Sequence, residues 1–471
     1  MATSTQRVAL VAALASSLAL ARPASALDAA DPAHAVRAMT LGEALDYAHA
    51  HQPDLRAAAA RVDAVRAAGS VTRARWYPTI TGAAEVLATT TNNSTGSYLA
   101  VPGLDNPRVS ATLARSAGTS SLSPAPSSLL AVGLRQEIFD FGRISTQAAA
   151  DDLRADAQRL SLSGARLVVD ETVAEAYFAV FAAKAVVRAA ESAIVRARIH
   201  RDQARAGLDA GLRRPIELTR TEALLDRYDL GRIRAGRNVV IAEAVLAAAV
   251  GVPEHLLDIS GAPPAPRDLP ALDAAFEAAE RNPDLVSALT RLRAQEKQTR
   301  AFAAEERPNL LLSSALSGNA GGATPSSGSV AEAKGFAPVV PNWDVGMVLS
   351  WPLLDETLRA RVRQSEAQEE VARQEAAALH ERIAGAVEEA YAEVVAAREA
   401  LPVLSRALNA AIANYDQASA RFDAGLGNAV EIADAEELRT SAEIELAQGQ
   451  FEVARARASL GRFLADGTGG A

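Results

Sequence analysis

Six histidines, His34, His49, His51, His200, His255 and His380, are the side chains best suited to moving protons or holding a transition metal near neutral pH. Only His49 and His51 are neighbours, and a spacing of two points them to different faces of a helix. The chain has no cysteine, which removes disulfides, thiolate metal sites and thiol nucleophiles. It also lacks a glycine-rich phosphate loop, an HExxH and a GxSxG. The expectation is a protein that is not an enzyme and carries no cofactor and no metal. Among the acids, Glu431 and Asp434 have a usable spacing: three apart, they share a helix face and would draw cations to it. In a chain with 57 acidic residues the same pair also reads as a solvated helix surface.

The elements that would hold such a pair are written twice. Asp209-Ala210-Gly211-Leu212 recurs as Asp423-Ala424-Gly425-Leu426, and the neighbours agree at the same offset. Ile216-Glu217-Leu218 faces Val430-Glu431-Ile432, Glu222 faces Glu436, and Glu175-Ala176-Tyr177 faces Glu389-Ala390-Tyr391. Nearer the N-terminus, Gln52-Pro53-Asp54-Leu55 matches Asn282-Pro283-Asp284-Leu285, Pro78 matches Pro308, and Val132-Gly133 matches Val345-Gly346. The first half is the longer one between Pro78 and Val132, where residues 89–128 are rich in Thr, Asn, Ser, Gly and Pro and read as a loop insertion. The expected organisation is a signal peptide at 1–26, a first repeat at 27–261, a proline-rich linker at 262–267, a second repeat at 268–466 and a glycine-rich tail at 467–471.

The leader has Arg7, an apolar run over 8–21 and Ala24-Ser25-Ala26 as a cleavage site, and the run is shorter than the about 20 residues a spanning helix needs. The chain has a formal net charge of −9, and losing the leader removes Arg7 and Arg22 but no acid, so nucleic acid is excluded as a partner. No other stretch is a candidate transmembrane helix. An exported chain of this kind is soluble in the periplasm, secreted, or built into the outer membrane as strands.

From 143 to 206 there is no proline and one glycine, and Ala, Leu, Arg and Glu dominate, which predicts a rod of about 96 Å. A seven-residue spacing runs through Leu153, Leu160, Leu167, Ala174, Phe181 and Val195. In the second half, steps of four and three run from Leu379 through Ile383, Ala390, Val394, Leu401 and Leu404 to Tyr415, with Pro402 expected to interrupt and kink the rod. Each DAGL then marks a hairpin tip, with a new helix starting near Pro215 or Ala429. Helices alone are equally compatible with a coiled-coil adaptor or filament protein. Residues 343–353 alternate, with Trp343, Val345, Met347, Leu349 and Trp351 on one face and Asp344, Gly346, Val348 and Ser350 on the other. That is the pattern of a membrane-spanning strand with tryptophan at the two interfaces. Counterparts are expected over 130–138, 79–88 and 309–316, giving one β-hairpin at about 78–140 and another at about 308–355. Four strands leave two open edges, which lipid does not tolerate, so closure needs several chains.

This duplicated plan, the paired prolines, Gln136-Glu137-Ile138-Phe139-Asp140-Phe141-Gly142 leading into the long helix, Glu-Ala-Tyr in each long helix and DAGL at each tip resemble the TolC family of outer-membrane efflux proteins. The resemblance covers nearly the whole mature chain. It implies a mainly α fold of duplicated long antiparallel helical hairpins forming an α-barrel tunnel in the periplasm. Four transmembrane strands per chain would join a shared twelve-stranded barrel in the outer membrane of a homotrimer. The implied role is an exit duct for small molecules or polypeptides, working with a periplasmic adaptor and an inner-membrane pump. The same resemblance places Glu431 and Asp434 in acidic rings at the narrow periplasmic end, with Glu217 the recurring acid of the first half and Arg220 in place of the second. Asp209, Gly211, Leu212, Asp423, Gly425 and Leu426 become the adaptor-docking tips, and Trp343 and Trp351 the aromatics at the lipid interfaces. One departure stands out: where the family latches its closed end with an aromatic hydroxyl and an arginine, this chain has Phe422 and Gly427, so closure rests on other contacts or is looser. The cargo, whether drug, metal cation or polypeptide, is not written in the residues. The alternative class is a periplasmic coiled-coil adaptor or structural protein without a pore.

Overall fold

The computed structural model describes residues 37–90, 124–252, 257–260, 268–321 and 340–464. The leader, the proline-rich linker, most of the insertion at 89–128, the glycine-rich tail, His34 and His255 lie outside the described residues. In chain order the elements are β1 (Arg37–Met39), α1 (Leu41–His51), α2 (Pro53–Ala74), β2 (Thr79–Thr90), β3 (Pro124–Phe139), α3 (Arg143–Asp209), α4 (Pro215–Val250) and β4 (Leu257–Ile259). Then follow α5 (Leu272–Ala279), α6 (Pro283–Ala304), β5 (Asn309–Gly321), β6 (Val340–Ser350), α7 (Glu356–Asp423) and α8 (Ala429–Phe463). The order helix, helix, strand, strand, long helix, helix thus occurs twice. The parallel pair β1–β4 ties the start of the first run to its end, and at three residues a strand it has no readable sequence pattern.

Pro53 and Pro283 turn out to be helix starts, whereas Pro78 and Pro308 stand just before β2 and β5. Gln52 and Asn282 are N-caps whose side chains accept from the backbone N–H of Asp54 and Asp284, and Pro53 and Pro283 occupy the first helical position, where a missing N–H costs nothing. The long helices α3 and α7 run for 67 and 68 residues, each about 100 Å. The expected interruption at Pro402 does not occur: α7 is one continuous helix through it. Leu401 and Leu404 flank the proline on the packed side and close onto Gly449 of α8, where Leu404 occupies the space a β-carbon would take. That packing holds the helix together across the hydrogen bond that proline cannot make.

The seam of α7 falls where the spacing put it, with Ile383, Ala390, Val394, Ala411 and Tyr415 buried. In α3 the seam holds at Ala174 and Phe181, which pack in the core, and is displaced toward its two ends. Leu153, Leu160 and Leu167 are only half-buried and Val195 is exposed, while Ala150, Ala157 and Gly164 form the buried seven-residue line. The reason is closeness of approach. The helix α6 crosses here with the Ser287 hydroxyl donating to the Ala157 carbonyl at 2.8 Å, and the Asp284 carboxylate fills the space beside Gly164. Small residues mark the line because a leucine would not fit between the backbones.

The strands form one sheet in the order β2-β3-β5-β6, all antiparallel. Register puts Ile80, Leu134, Ser314 and Val345 in one row, and Gly82, Val132, Leu316 and Trp343 in the next, on one face. Ile80, Val86, Leu130, Val132, Leu316, Trp343, Val345, Met347 and Leu349 are exposed there. The opposite face carries Thr81, Arg135, Glu137, Ser313, Asp344 and Ser350. The strand β6 stops at Ser350, short of the expected 353, because Pro352 has no N–H to give the ladder. Trp351 therefore lies just past the strand end, and both it and Trp343 are exposed. Among the described residues, the outer edges of β2 and β6 pair with no other strand.

Candidate functional site

The far ends of the rods are built from the two DAGL turns. In each, the glycine takes a left-handed conformation, with φ of 72° at Gly211 and 71° at Gly425. Leu212 N–H reaches the Gly207 carbonyl and Leu426 N–H the Arg421 carbonyl, both at 2.8 Å, closing a Schellman motif that satisfies the last helical carbonyls. The next residue can then point outward: Leu212 is 83% and Leu426 74% exposed. After the turn, Pro215 opens α4 at its first position, while Asn428 caps α8 by accepting from Val430 and Glu431 N–H. Asp209, Gly211, Asp423 and Gly425 are exposed beside them, so the six tip residues lie together on two open turns.

The acids lie one turn further along. Glu431 and Asp434 are on α8, Asp434 exposed and Glu431 paired with Arg421 Nε at 2.8 Å. Glu217, the equivalent of Glu431 in the first repeat, is held by Arg213 Nη1 at 2.9 Å, and Arg220 is exposed. Each recurring glutamate therefore has an arginine partner, but from opposite sides of the turn. The two tips exchange residue types: Gly207 stands opposite Arg421 in the repeat register, and Arg213 opposite Gly427. Space explains the exchange. A β-carbon at Gly207 would lie 2.7 Å from Arg213 Cδ, and one at Gly427 only 3.1 Å from the Phe422 nitrogen. Comparing the repeats would have exposed this exchange.

Arg213 does more than hold Glu217. Its Nη2 donates to the Phe422 carbonyl at 2.6 Å, and the guanidinium lies 3.6 Å from the centre of the Phe422 ring. Phe422 is fully buried, with His200 edge-on to it at 5.9 Å. The missing hydroxyl at Phe422 and guanidinium at Gly427 are thus answered from the other hairpin by Arg213, a residue that sequence reading passed over.

Above the tips lies a charged layer that the heptad pattern concealed. Glu436 is 0% exposed and accepts from Arg196 Nε at 2.8 and 2.9 Å, with Thr440 Oγ1 at 3.1 Å. Burial works against the Arg196 charge, but the hydrogen bond to and charge of Glu436 outweigh it and raise the guanidinium pKa above its ordinary value. The next ion, Glu443, is 3.6 Å from Arg196. Beside it, His200 Nε2 is 2.8 Å from Tyr415 Oη and Nδ1 is 3.2 Å from Gln203 Oε1. Burial pushes His200 below the ordinary imidazole value, which Gln203 and the nearby carboxylates only partly oppose. The other histidines stay apart. His49 pairs with Asp170 on α3 at 2.5 Å, whereas His51 stacks on Tyr47, the divergence that their spacing predicts. Among the described residues no cluster of His, Asp and Glu forms a metal-binding group, and no helix is long and apolar enough to cross a membrane.

Comparison with known proteins agrees with this architecture. The family described as outer membrane efflux protein matches residues 44–252 and 275–466. Protein CyaE of Bordetella pertussis is 28% identical over 425 residues, covering 88% of this chain and 81% of that protein. The Campylobacter jejuni CmeC outer membrane channel superposes with a TM-score of 0.73 at 16% identity, over 91% of this chain and 86% of that one. The open state of the Neisseria gonorrhoeae MtrE outer membrane channel gives 0.68 at 20% identity, over 91% and 89%. With both repeats matched and the long-helix, four-strand fold shared, the chain belongs to the outer membrane efflux protein family and is an export channel of the outer membrane with its helices in the periplasm.

Proposed function

We propose that the protein is a passive duct closed by three identical copies, through which an inner-membrane pump drives cargo delivered by a periplasmic adaptor docked at the tips. The observation that carries this reading is incompleteness of the single chain. The sheet has an apolar face, a polar face and two open edges, so β6 of one copy can pair with β2 of the next, and lipid covers the apolar face. The helices are incomplete in the same direction. In the second repeat α6 packs against both α3 and α7, and α8 against both α7 and α3. In the first, α2 packs substantially only against α3, and α4 against α3 with minor contacts to α1, β4 and α8, among the described residues. Their missing partner, by the duplication, is α7 of another copy, which makes a head-to-tail ring. The helix α4 accordingly presents Leu230, Ile233, Val240, Ile241 and Val245 exposed, together with Arg234 and Arg237.

In such a ring the second tips converge and Glu431 and Asp434 form rings of carboxylates at the aperture, so the duct favours cations. Trp343 and Trp351 sit at the two lipid interfaces, Glu217 stands behind the aperture acids, and the exposed DAGL turns offer backbone and leucine to the adaptor. Nothing in this duct needs catalysis, cofactor or metal. Two measurements test the reading. Light scattering in mild detergent should give the mass of a trimer, and a folded monomer free of detergent refutes the ring. In planar bilayers Glu431→Gln with Asp434→Asn should lower cation selectivity; selectivity equal to the parent's removes these acids from the aperture.

A further inference from the structure

Because the two repeats share one plan, the seam inside the chain is a template for the seam between copies. Inside the chain α3 meets α6 and α8. Between copies the equivalent elements are α7 of one copy with α2 and α4 of the next. Positions that are buried in the inner seam lie open in the outer one. Ser287, Thr290, Ala294, Gln298 and Ala301 of α6 are buried. At the offset that carries Pro283 to Pro53 they become Ala57, Ala60, Ala64, Ala68 and Val71 of α2, all exposed, a difference that the missing helix accounts for.

Charge follows the same map. In the inner seam Arg196 of α3 reaches two acids on α8, Glu436 at 2.8 Å and Glu443 at 3.6 Å. At the offset that carries one DAGL to the other, those acids become Glu222 and Asp229 of α4, while Arg196 becomes Ala410 of α7. The arginine is displaced by one turn, to Arg406, and an extra acid stands one turn beyond Glu222, at Asp226. The helices are antiparallel, so the two displacements cancel and Arg406 keeps the level with Asp226 that Arg196 has with Glu436. Elsewhere in the inner seam Arg291 of α6 donates to Ser161 Oγ of α3 at 2.7 Å. Their equivalents are Arg61 of α2 and Glu375 of α7. Phe451 of α8 and Phe181 of α3 pack on one core. Their equivalents are Arg237 of α4 and Val395 of α7, with Glu399 one turn further on. Among the described residues Arg61, Asp226, Glu375, Glu399 and Arg406 have no ion-pair partner in their own chain. Arg237 bonds only the neutral Asn238, and Asp229 has Arg232 of its own helix at 3.5 Å.

We propose that three charge contacts set the register of the seam between copies and distinguish it from the seam inside each: Arg406 with Asp226 and Asp229, Glu375 with Arg61, and Glu399 with Arg237. This rests on the ring of copies described above. Duplication makes such discrimination necessary, since the two repeats offer nearly the same backbone to a neighbour. If α4 were laid on α3 instead of α7, Asp226 would stand opposite Ser192 and Arg237 opposite Phe181, neither with an opposite charge at that position. Complementary charges select partner and register even where each exposed pair adds little stability.

The absence of cysteine makes the test clean. Asp226→Cys with Arg406→Cys, treated with a short bis-maleimide in isolated membranes, should give covalent dimers and trimers; a bridge within one chain would leave the mass of a monomer. Asp226→Cys with Ala392→Cys, displaced by about 21 Å along the rod, should give at least about tenfold less. Equal yields from the two pairs, or none from the first, would overturn the register. The role of charge is read from reversal. Arg406→Glu alone, and Asp226→Arg with Asp229→Arg, should each lower the temperature at which the trimer dissociates in detergent. All three changes together should recover at least about half of the loss, and recovery of assembly reads the same way if a component variant does not assemble. A combined variant no more stable than its components, or Arg406→Glu dissociating at the parent's temperature, would overturn the proposal. A parent that forms no trimer would instead refute the ring itself, so the two failures are distinguishable.

Discussion

Removing one partner of the buried pair Arg196–Glu436 should cost far more than removing both. In Glu436→Leu, the guanidinium keeps only Glu443 at 3.6 Å and a ring contact with Tyr415 at 5.8 Å, while its side chain is 14% exposed. In Arg196→Met, a carboxylate with 0% exposure keeps only the Thr440 hydroxyl. Breaking a buried pair in this way costs about 3–5 kcal/mol, because the remaining charge is neither solvated nor neutralised. With both residues apolar no orphan charge remains, and the double variant should lie within about 1–2 kcal/mol of the parent. The cycle should therefore be non-additive by about 4 kcal/mol or more, beyond the usual range of about 0.5–3 kcal/mol for contacting residues. The assay is urea unfolding of the detergent-solubilised protein followed by helical circular dichroism, on the parent, both single variants and the double. Two results would refute the reasoning. A single variant costing under about 1 kcal/mol would mean that water reaches the pair, and a double variant as unstable as the sum would mean that the residues act independently.

Three further outcomes follow from the same geometry. Gly425→Ala meets open space but must hold a φ of 71°, so it should cost about 1–2 kcal/mol confined to the tip, read as faster amide exchange over the turn with the trimer intact. Gly449→Val drives a branched side chain into the volume of Leu404 and should destabilise by about 1–3 kcal/mol, measured as a lower unfolding midpoint. Burial lowers the His200 pKa, so below about pH 6.5 the unfolded chain takes up a proton that the folded chain resists. Stability attributable to this ring is complete above that pH and is lost as pH falls toward the depressed folded value. The groups facing it are Tyr415, Phe422 and Asp423 of α7, Glu436 of α8, and Arg196 and Gln203 of its own helix. His200→Gln should flatten the fall in unfolding midpoint between about pH 7.5 and about pH 5.5.

Much of the architecture was legible because it depends on local rules repeated twice. Proline after Gln52 and Asn282 starts a helix, a glycine able to take positive φ at 211 and 425 ends one, and alternation over 343–349 makes a strand, each from the conformational range of a few residues. Duplication turned those weak signals into a plan, and four strands with open edges gave the expectation of association. What composition could not give was which helix faces meet. The first seam ran along Ala150, Ala157 and Gly164 because α6 comes close there, and a leucine spacing nearby was just as regular. Pro402 stayed within a continuous helix because packing against Gly449 outweighed a local rule. The partnership of Arg196 with Glu436, and of Arg213 with Phe422, joins residues more than two hundred positions apart. Sequence fixed the elements, whose causes lie within a few residues, whereas only the tertiary structure could decide the charge pairs and tip contacts, because these depend on how two hairpins are laid side by side.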